Sequence, residues 1–524
     1  MKHGATAHAT ASIPWRKLAL LLLACAVLRG FLILAPPDDF FENGAIPHEE
    51  MLRGIAAQEL LDGPLAPIQR YQVNNFWGGS LVVSMLATVP YAVFGAQLVA
   101  LRSVALLFGL ACVAILFVLL HRHSSPRAAW IGATLLAFAP PGYAMSSCTT
   151  YGTHLEANAL ALLVVWLVLE EQRSREGLSN AGRARTFLLG LAAGFALWFG
   201  FSLLLVLVAW FVHEFARDRV FMLGRRAGFL ALGFLAGFWP WIRYQLVHGW
   251  SGLEIYDQGL SGHLLYGISR GSAAEKVLTT LSTTGPLSFC FRDTLSVPGI
   301  WIGRVFVALA LFVVVRAALR ERTTISALVR GARPSRATPT TLALTFLALF
   351  SATYAFSAFD VAARDWIFDL RYLMPPVPFV CLLAGVVGAD VSRQRPGGGR
   401  VAVVATVLCA TTCVVATLRQ ARPARFEAAL AQSGTSEAQL VRFLSRNFSA
   451  EPESALEVAE RIVLLRQSPR REALLAAFGR GVRVLAARSG GTPAEQRRAA
   501  GARTSAVYVP QRLPPEYARI FGDP

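Results

Sequence analysis

Acidic residues gather in the segment PHEEMLRGIAAQELLD, which follows the first long apolar segment of the chain. A carboxylate such as Glu49 or Glu50, held beside a hydroxyl group, can take up its proton, and such general-base assistance raises rates by about 10²–10⁴-fold. Both residues also suit the first turn of a helix that starts after Pro47. Unpaired amide groups and the helix dipole stabilise an acidic side chain there by about 0.3–1 kcal/mol. The sequence leaves both interpretations open.

A histidine and a glutamate form a second candidate pair in the segment YGTHLEANALALLVVWL. His154 and Glu156 stand where this apolar segment begins, so a transmembrane helix would hold them at its mouth. Ionisable groups at that depth are costly and are often functional. Thr153 and Glu156 also match the capping-box pattern of a helix start, which is the structural alternative.

A third candidate lies in the segment DLRYLMPPVPFVCLLAG. Asp369, Arg371 and Tyr372 stand just before a double proline and a further apolar run. An arginine can bind a phosphate through two parallel hydrogen bonds. The same pair could instead be an interface anchor, with a snorkelling arginine and a tyrosine of the aromatic belt.

The elements that must position these residues are membrane helices. The chain has 524 residues, of which 54% are hydrophobic and only 16% are charged. Apolar runs of about 18 or more residues, which are typical of membrane spans, recur along it. The net charge of +18 comes mainly from arginines in short loops. This is the positive-inside pattern, and no basic face with interleaved aromatic residues indicates nucleic-acid binding.

Loop charge and hydropathy together predict a topology of about eleven spans. The arginine-rich loops 173–185, 217–226, 319–336 and 393–400 all fall on the cytoplasmic side if the segment 78–95, with Pro90 and Gly95, is interfacial or re-entrant. The predicted spans are 18–35, 97–120, 129–145, 155–172, 186–200, 201–215, 227–246, 299–318, 341–358, 374–390 and 401–418.

This topology predicts three regions in one chain. Residues 1–17 form a cytoplasmic N-terminus, residues 18–418 form the transmembrane domain, and residues 419–524 form a small, mainly helical extracytoplasmic domain. The transmembrane domain carries outer loops at 36–76 and 247–298. All three candidate groups then lie on the outer side, an orientation that follows from arginine placement alone.

The order of these features resembles the GT-C glycosyltransferases, most closely the protein-mannosyltransferase and aminoarabinose-transferase group. A first span is followed by an acidic outer helix, then by YAVFGAQLVALRSVALLFGLACVAILFVLLHR, an acid at the mouth of a later span, GFWPWIRYQ and DLRYLMPPVPFVCLLAG. The resemblance covers about residues 15–420. It implies a helical membrane bundle with a juxtamembrane outer helix and a site at the outer face.

The resemblance also implies a reaction. Its members transfer sugars from polyprenyl phosphates, so it implies a polyprenyl-phosphate-linked donor, membrane lipid as surroundings, and inverting transfer of a hexosyl or pentosyl group to an acceptor hydroxyl. The acceptor stays open between lipid, polysaccharide and protein. The family's outer-loop pair is usually Asp-Glu, and His48 and Glu49 occupy that place here. Glu49 is therefore the implied base with Glu50 as substitute, and Glu156 is the third catalytic candidate.

Substrate binding is assigned to a wider set of side chains. Arg371 with Tyr372 would bind the departing phosphate, while structural roles fit Arg53 and Arg102 better. The substrate-binding candidates are His48, His154, Arg371, Tyr372, Arg70 and Asp369. The sequence indicates no cofactor and no cluster of metal ligands, but carboxylates alone could hold a divalent cation, so a metal requirement stays open.

Two other functions compete with glycosyl transfer. A transporter would also have many spans, but internal repeats, broken helices in paired positions and charges near the midplane would be expected. A non-catalytic membrane scaffold would tolerate loss of the acidic residues. Composition indicates a multi-pass protein of a bacterial inner membrane, with the N-terminus in the cytoplasm and the C-terminus in the periplasm.

Overall fold

The protein is built from helices. The computed structural model describes residues 12–34, 48–64, 68–71, 78–176, 181–218, 224–247, 250, 272–286, 297–332, 337–356, 370–394 and 397–420, and it has no β-strand within these ranges. In chain order the helices are α1 (Trp15–Leu34), α2 (His48–Asp62), α3 (Gly79–Phe94), α4 (Leu98–His123), α5 (Pro126–Ala137), α6 (Pro141–Ser146), α7 (Ala157–Glu176), α8 (Ala181–Phe199), α9 (Leu204–Arg217), α10 (Arg225–Val247), α11 (Ala273–Thr279), α12 (Val297–Arg320), α13 (Arg322–Val329), α14 (Pro339–Phe356), α15 (Pro376–Gln394) and α16 (Gly398–Gln420).

Six of the helical segments within the described ranges are long and apolar enough to cross a membrane. They are Trp15–Leu34, Leu98–His123, Trp301–Arg320, Pro339–Phe356, Arg371–Gln394 and Gly398–Arg419. The prediction of an all-helical, multi-pass membrane protein is therefore confirmed. The number of eleven spans stays a prediction, because α7 to α10 do not meet the same criteria of length and composition.

The segment 129–145 is not the single helix that its apolar run suggests. Helix α5 starts at Pro126, where the Ser125 hydroxyl accepts a hydrogen bond from the amide of Ala128 at 3.1 Å, and it ends at Ala137. Helix α6 then begins after Pro140 and contains Pro141. Proline has no amide hydrogen and clashes with the preceding turn, so the two prolines break the helix and the one-helix expectation is wrong.

A buried arginine of α1 supports the end of α5 at this break. The Arg29 side chain is only 1% exposed, and its Nη2 donates to the carbonyl oxygen of Leu136 at 3.4 Å. A cation is favourable at the C-terminal end of a helix, where carbonyl groups lack partners. Gly109 of α4 leaves the space, since an added Cβ would lie 2.1 Å from Arg29 Nη1.

Helices α8 and α10 approach each other through glycines. Each helix contains a G-x-x-x-G pattern, and small residues at this spacing let the backbones of membrane helices touch. A Cβ added at any of the four positions would lie 2.1 Å from a carbonyl oxygen of the partner helix. The four positions are Gly190, Gly194, Gly233 and Gly237.

The start of α3 joins two parts of the bundle. The amide of Gly78 donates to the carbonyl oxygen of Trp198 at the end of α8, at 2.7 Å. A Cβ added at Gly79 would lie 2.0 Å from the carbonyl oxygen of Gly152. Helix α3 is 16 residues long and contains Pro90, and its interfacial or re-entrant placement stays a prediction. Its N-terminus holds the loop 147–156, between α6 and α7, in place.

Several predicted regions fall largely outside the described residues. Of the C-terminal domain predicted at residues 419–524, the structure describes only residues 419 and 420, which form the end of α16. The outer loop 36–76 is described in helix α2 and in the 3-10 turn Ile68–Tyr71, and the loop 247–298 in helix α11 and the π-helical turn Thr280–Thr284. The orientation of the termini stays a prediction.

Candidate active site

An ion pair attaches the first turn of α2 to α4. The Glu50 side chain is completely buried, and its Oε2 lies 2.8 Å from Arg102 Nη2. Arg102 Nε donates to Glu50 Oε1 at 3.0 Å, and the backbone amide of Thr150 donates to the same oxygen at 2.8 Å. The Glu50 carboxylate therefore contacts a second helix and the loop 147–156, which is more than the helix-start role requires.

The loop 147–156 follows the broken helix and turns sharply at Gly152. Gly152 has φ +81°, in the left-handed region that favours glycine. Its amide donates to Glu156 Oε1 at 2.9 Å. A Cβ at this position would lie 2.4 Å from Arg53 Nε and 3.0 Å from Ser80 Cα, so glycine is needed both for the backbone angle and for the space. The turn brings Glu156 next to Arg53.

Glu156 has a free acceptor atom inside the protein. Its residue is 2% exposed, and among the described residues its Oε2 has no hydrogen-bond partner. Burial raises the pKa of Glu156 to about 7, against the lowering effects of the Gly152 amide and the Arg53 guanidinium, and Glu50 adds to the increase. This carboxyl group can therefore accept or release a proton near neutral pH.

The capping-box alternative for this residue is not formed. In that arrangement the Thr153 hydroxyl would accept from the amide of Glu156, but Thr153 Oγ1 has no hydrogen-bond partner in the described part of the chain. Glu156 accepts from Gly152 instead, and helix α7 begins one residue later, at Ala157.

An arginine and three aromatic rings complete the cluster. The Arg371 guanidinium lies over the rings of Tyr151, at 5.2 Å, and Tyr372, at 5.0 Å, and its Nη2 donates to the Tyr372 hydroxyl at 3.3 Å. The rings of His154 and Tyr372 meet edge to face with centroids 4.7 Å apart. Burial, followed by the charges of Arg371 and Arg53, lowers the pKa of His154 well below its usual value. The imidazole is therefore neutral at physiological pH.

Five predicted site residues are brought together by the fold. Two of them lie in the loop 147–156 and three contact it. They are His154 and Glu156 in the loop, and Glu50, Arg371 and Tyr372 beside it. His48 and Glu49 form the start of α2 in the backbone, and Arg70 lies in the turn Ile68–Tyr71. Asp369 lies outside the described residues. The catalytic and binding roles of all these residues stay predictions.

The sequence predicts a structural role for Arg53, and the structure places this residue in the cluster. It contacts the turn at Gly152, and its charge acts on both Glu156 and His154. The signal in the sequence was its spacing, because residues three apart share a helix face, which places Arg53 on the same side of α2 as Glu50. Arg102 forms an ion pair with Glu50, and its structural role stays a prediction.

The cluster carries more positive than negative charge. Three guanidinium groups, of Arg53, Arg102 and Arg371, stand against the carboxyl groups of Glu50 and Glu156. Arg102 is engaged by Glu50, while the charge of Arg53 acts on Glu156, whose pKa is about 7, and the charges of Arg371 and Arg53 act on His154. Such a site suits an anionic group such as a phosphate. Within the described ranges, no three His, Cys, Asp or Glu side chains are grouped so that they could hold a metal ion.

Comparisons with known proteins find likenesses in structure only. No protein-family model matches the chain, and no curated protein matches it. ArnT from Cupriavidus metallidurans bound to undecaprenyl phosphate is 17% identical and has a TM-score of 0.49, with 97% of this chain and 82% of that chain covered. Its apo state gives 16% identity, a TM-score of 0.45 and coverage of 93% and 79%.

An archaeal protein is similar over a smaller part of its length. The oligosaccharyltransferase AglB from Archaeoglobus fulgidus, in complex with an inhibitory peptide and a dolichol phosphate, is 13% identical with a TM-score of 0.43. The match covers 87% of this chain and 60% of that chain. ArnT and AglB are both GT-C glycosyltransferases, the family that the motifs resemble. Since every TM-score is below 0.5, the side chains of this chain must carry any functional conclusion.

Proposed function

We propose that this protein is a membrane glycosyltransferase that moves a sugar from a polyprenyl-phosphate donor to an acceptor hydroxyl at the outer face of the membrane. One observation carries the proposal. Glu156 is a buried carboxyl group whose Oε2 has no hydrogen-bond partner among the described residues and whose pKa is about 7, and the Arg53 and Arg371 guanidinium groups lie in the same cluster. A base and a phosphate-binding cation are the two groups that this reaction needs.

The reaction assigns a role to each member of the cluster. The acceptor oxygen forms a bond to the anomeric carbon of the sugar, while the bond from that carbon to the phosphate oxygen breaks and its electron pair leaves with the phosphate. Glu156 takes the acceptor's proton. Arg371 and Arg53 stabilise the negative charge on the leaving phosphate. A single displacement of this kind inverts the anomeric carbon.

Neutral His154 and Tyr372 would orient the reacting groups. The imidazole can donate one hydrogen bond and accept another, which suits sugar hydroxyls. The Tyr372 hydroxyl accepts from Arg371 and so fixes the guanidinium plane. Glu50 is held by Arg102 and by the amide of Thr150, so it supports the loop, and the base is Glu156. Glu49 remains the alternative base that the motif resemblance implies.

The donor class follows from the motif resemblance and from the position of the cluster. The motif resemblance implies a polyprenyl-phosphate carrier, and we propose a carrier of that class for this chain; the ArnT and AglB structures hold undecaprenyl phosphate and a dolichol phosphate. Helix α3 starts beside the cluster, and its last turns expose large apolar side chains such as Val89 and Val93. A lipid tail could lie against them while the phosphate meets the arginines.

Mass spectrometry of envelope glycans and glycolipids tests the proposal. We would compare a strain that lacks the gene with strains that carry wild type, Glu156→Gln, Glu49→Gln or Glu214→Gln, at equal protein level. Glu214 is a matched control, since it is equally buried but lies on α9. We expect a glycoform that is lost on deletion, is restored by wild type, Glu49→Gln and Glu214→Gln, and is not restored by Glu156→Gln.

The other outcomes are equally informative. Restoration by Glu156→Gln but not by Glu49→Gln would move the base to Glu49. Restoration by all three variants would mean that neither Glu156 nor Glu49 acts as a base in the reaction. If no glycan or glycolipid depends on the gene in any strain, the transferase proposal is wrong, and transport or scaffolding takes its place.

A further inference from the structure

A groove lies in the angle between helices α12 and α13, on a part of the fold that the site does not use. Its volume is about 430 Å³, within the range of about 300–1,000 Å³ that small-molecule sites occupy. The apolar lining comes from Val315, Leu319, Ile325 and Val329, and Arg322 and Arg330 lie along the same side of α13.

One face of α13 forms the groove. The lining positions 322, 325, 326, 329 and 330 follow the i, i+3, i+4, i+7, i+8 spacing of a single helical stripe. The last turns of α12 supply the other wall. The Arg320 guanidinium at the end of α12 is paired with Asp390 of α15, which ties this wall to the bundle.

The groove faces the surroundings of the protein rather than its core. Val329 is 82% exposed and Leu319 is 55% exposed. Helix α12 contains an apolar segment, Trp301–Arg320, long enough to cross a membrane, and the groove covers only its last two turns. The groove therefore lies at the membrane boundary, where acyl chains meet lipid headgroups.

Two arginines at this boundary are available to a ligand. Arg322 and Arg330 are exposed, and neither makes an ion pair with a residue in the described ranges. They are eight residues apart, which is about 12 Å along a helix. Basic residues beside an apolar surface on the cytoplasmic side attract anionic lipids, by about 1 kcal/mol for each basic residue.

We propose that this groove is a binding site for an anionic phospholipid. The lipid phosphate would contact Arg322 and Arg330, and the start of an acyl chain would lie on Val315, Leu319, Ile325 and Val329. A zwitterionic headgroup carries its own cation close to the phosphate, so it gains less from the two arginines. The site is separate from the glycosyltransferase proposal and does not depend on it.

Native mass spectrometry of the full-length protein in detergent tests this inference. Phosphatidylglycerol and phosphatidylcholine with the same acyl chains would be titrated against wild type and against the double variant Arg322→Gln/Arg330→Gln. The matched control is Arg183→Gln/Arg185→Gln, which removes two exposed arginines from the start of α8. We expect wild type and the control to prefer phosphatidylglycerol, and the groove variant to lose at least tenfold in its affinity and most of that preference.

A lysine variant and a competition experiment test whether charge and acyl chain are both needed for binding. Arg322→Lys/Arg330→Lys keeps the charge and should keep most of the preference, even if the Gln variant is poorly folded. Free glycerol 3-phosphate should not compete, because it has no acyl chain. Equal binding of both lipids by wild type, an equal loss in the α8 control, or full competition by glycerol 3-phosphate would each overturn the proposal.

Discussion

Buried polar side chains occur in two clusters that are built differently. The loop cluster consists of Glu50, Arg53, Arg102, Glu156 and Arg371. The helical cluster consists of Glu171, Gln172, Thr186, His213, Glu214 and Thr345. In the helical cluster, Glu171 accepts from the Thr186 hydroxyl at 2.8 Å and Glu214 from the Gln172 amide at 3.1 Å, both across pairs of helices.

The difference between the clusters indicates where chemistry can occur. In the helical cluster, carboxylates bind neutral donors on neighbouring helices, an arrangement that holds membrane helices together. Among the described residues of the loop cluster, guanidinium groups outnumber carboxyl groups, and Glu156 Oε2 has no hydrogen-bond partner there. Glu156 lies in the loop 147–156. Binding and catalytic residues concentrate in loops that a rigid scaffold positions.

The largest effect should follow substitution of Arg102, the positively charged partner of Glu50 in the loop cluster. Arg102→Met leaves Glu50 as a buried carboxylate without its partner, and breaking a buried pair in this way costs about 3–5 kcal/mol. We expect a large drop in the midpoint of thermal unfolding in detergent, together with loss of activity. Glu50→Gln/Arg102→Met should recover much of the stability, because it removes both charges. A small loss in Arg102→Met would mean that the pair does not attach α2 to α4.

Glu156→Gln should separate activity from stability. Loss of a general base lowers the rate by about 10²–10⁴-fold, while the amide is nearly the same size as the acid and carries no charge to bury. We expect the transfer rate to fall by that factor, with an unfolding midpoint at neutral pH equal to or above that of wild type. An unfolding midpoint below that of wild type would show that Glu156 has a structural role.

The pH dependence of the free energy of unfolding tests whether the pKa of Glu156 is raised. Burial raises the pKa of Glu156 from an ordinary value of 4.5 to about 7. Between these values the folded protein holds a proton that the unfolded chain has released, so this residue makes the free energy of unfolding fall as the pH rises through the window. The stability of Glu156→Gln relative to wild type should therefore increase from about pH 5 to about pH 8. A constant difference would contradict the raised pKa.

Thr186→Val should affect the helical cluster alone. The substitution leaves the buried Glu171 carboxylate without one hydrogen bond, at a cost of about 1–3 kcal/mol. We expect a lower unfolding midpoint and an unchanged transfer rate per folded molecule. A specific loss of rate would mean that the two clusters are coupled, and the contrast between them would fail.

Tyr372→Phe should give the smallest change. It removes the hydroxyl that accepts from Arg371 but keeps the ring under the guanidinium, and a single hydrogen bond of this kind is worth about 0.5–1.5 kcal/mol. We expect donor affinity to fall by about tenfold or less, with the rate at saturating donor retained. Measurement of both quantities on purified protein would separate this from a loss of the base.

The sequence predicts the positions of most helices and several members of the loop cluster. Long apolar runs place α1, α4, α12 and α14 to α16, because twenty apolar residues in water-free surroundings must form a helix. Ionisable residues at the edges of such runs drew attention to Glu156 and Arg371, since charge at that depth is costly.

Other features depend on contacts between distant parts of the chain. Arg102 is 52 residues from Glu50, and spacing within one helix cannot reveal that pairing. The break between α5 and α6 was missed because hydropathy averages over Pro140 and Pro141. The sequence does not reveal that Arg53 contacts the site, because its neighbour Gly152 lies in a turn with no helical or strand periodicity.

The most direct test follows the carrier lipid itself. A strain that lacks the gene should accumulate both the unused sugar donor and the unmodified acceptor, so the heat-treated envelope fraction of that strain, which contains its lipids, polysaccharides and proteins, would be incubated with purified wild type, Glu156→Gln or Thr186→Val in lipid nanodiscs. Mass spectrometry would then measure polyprenyl phosphate. We expect wild type and Thr186→Val to consume a sugar-linked polyprenyl phosphate and release the free carrier, and Glu156→Gln to release far less. Equal carrier levels with and without wild type would contradict the transferase function.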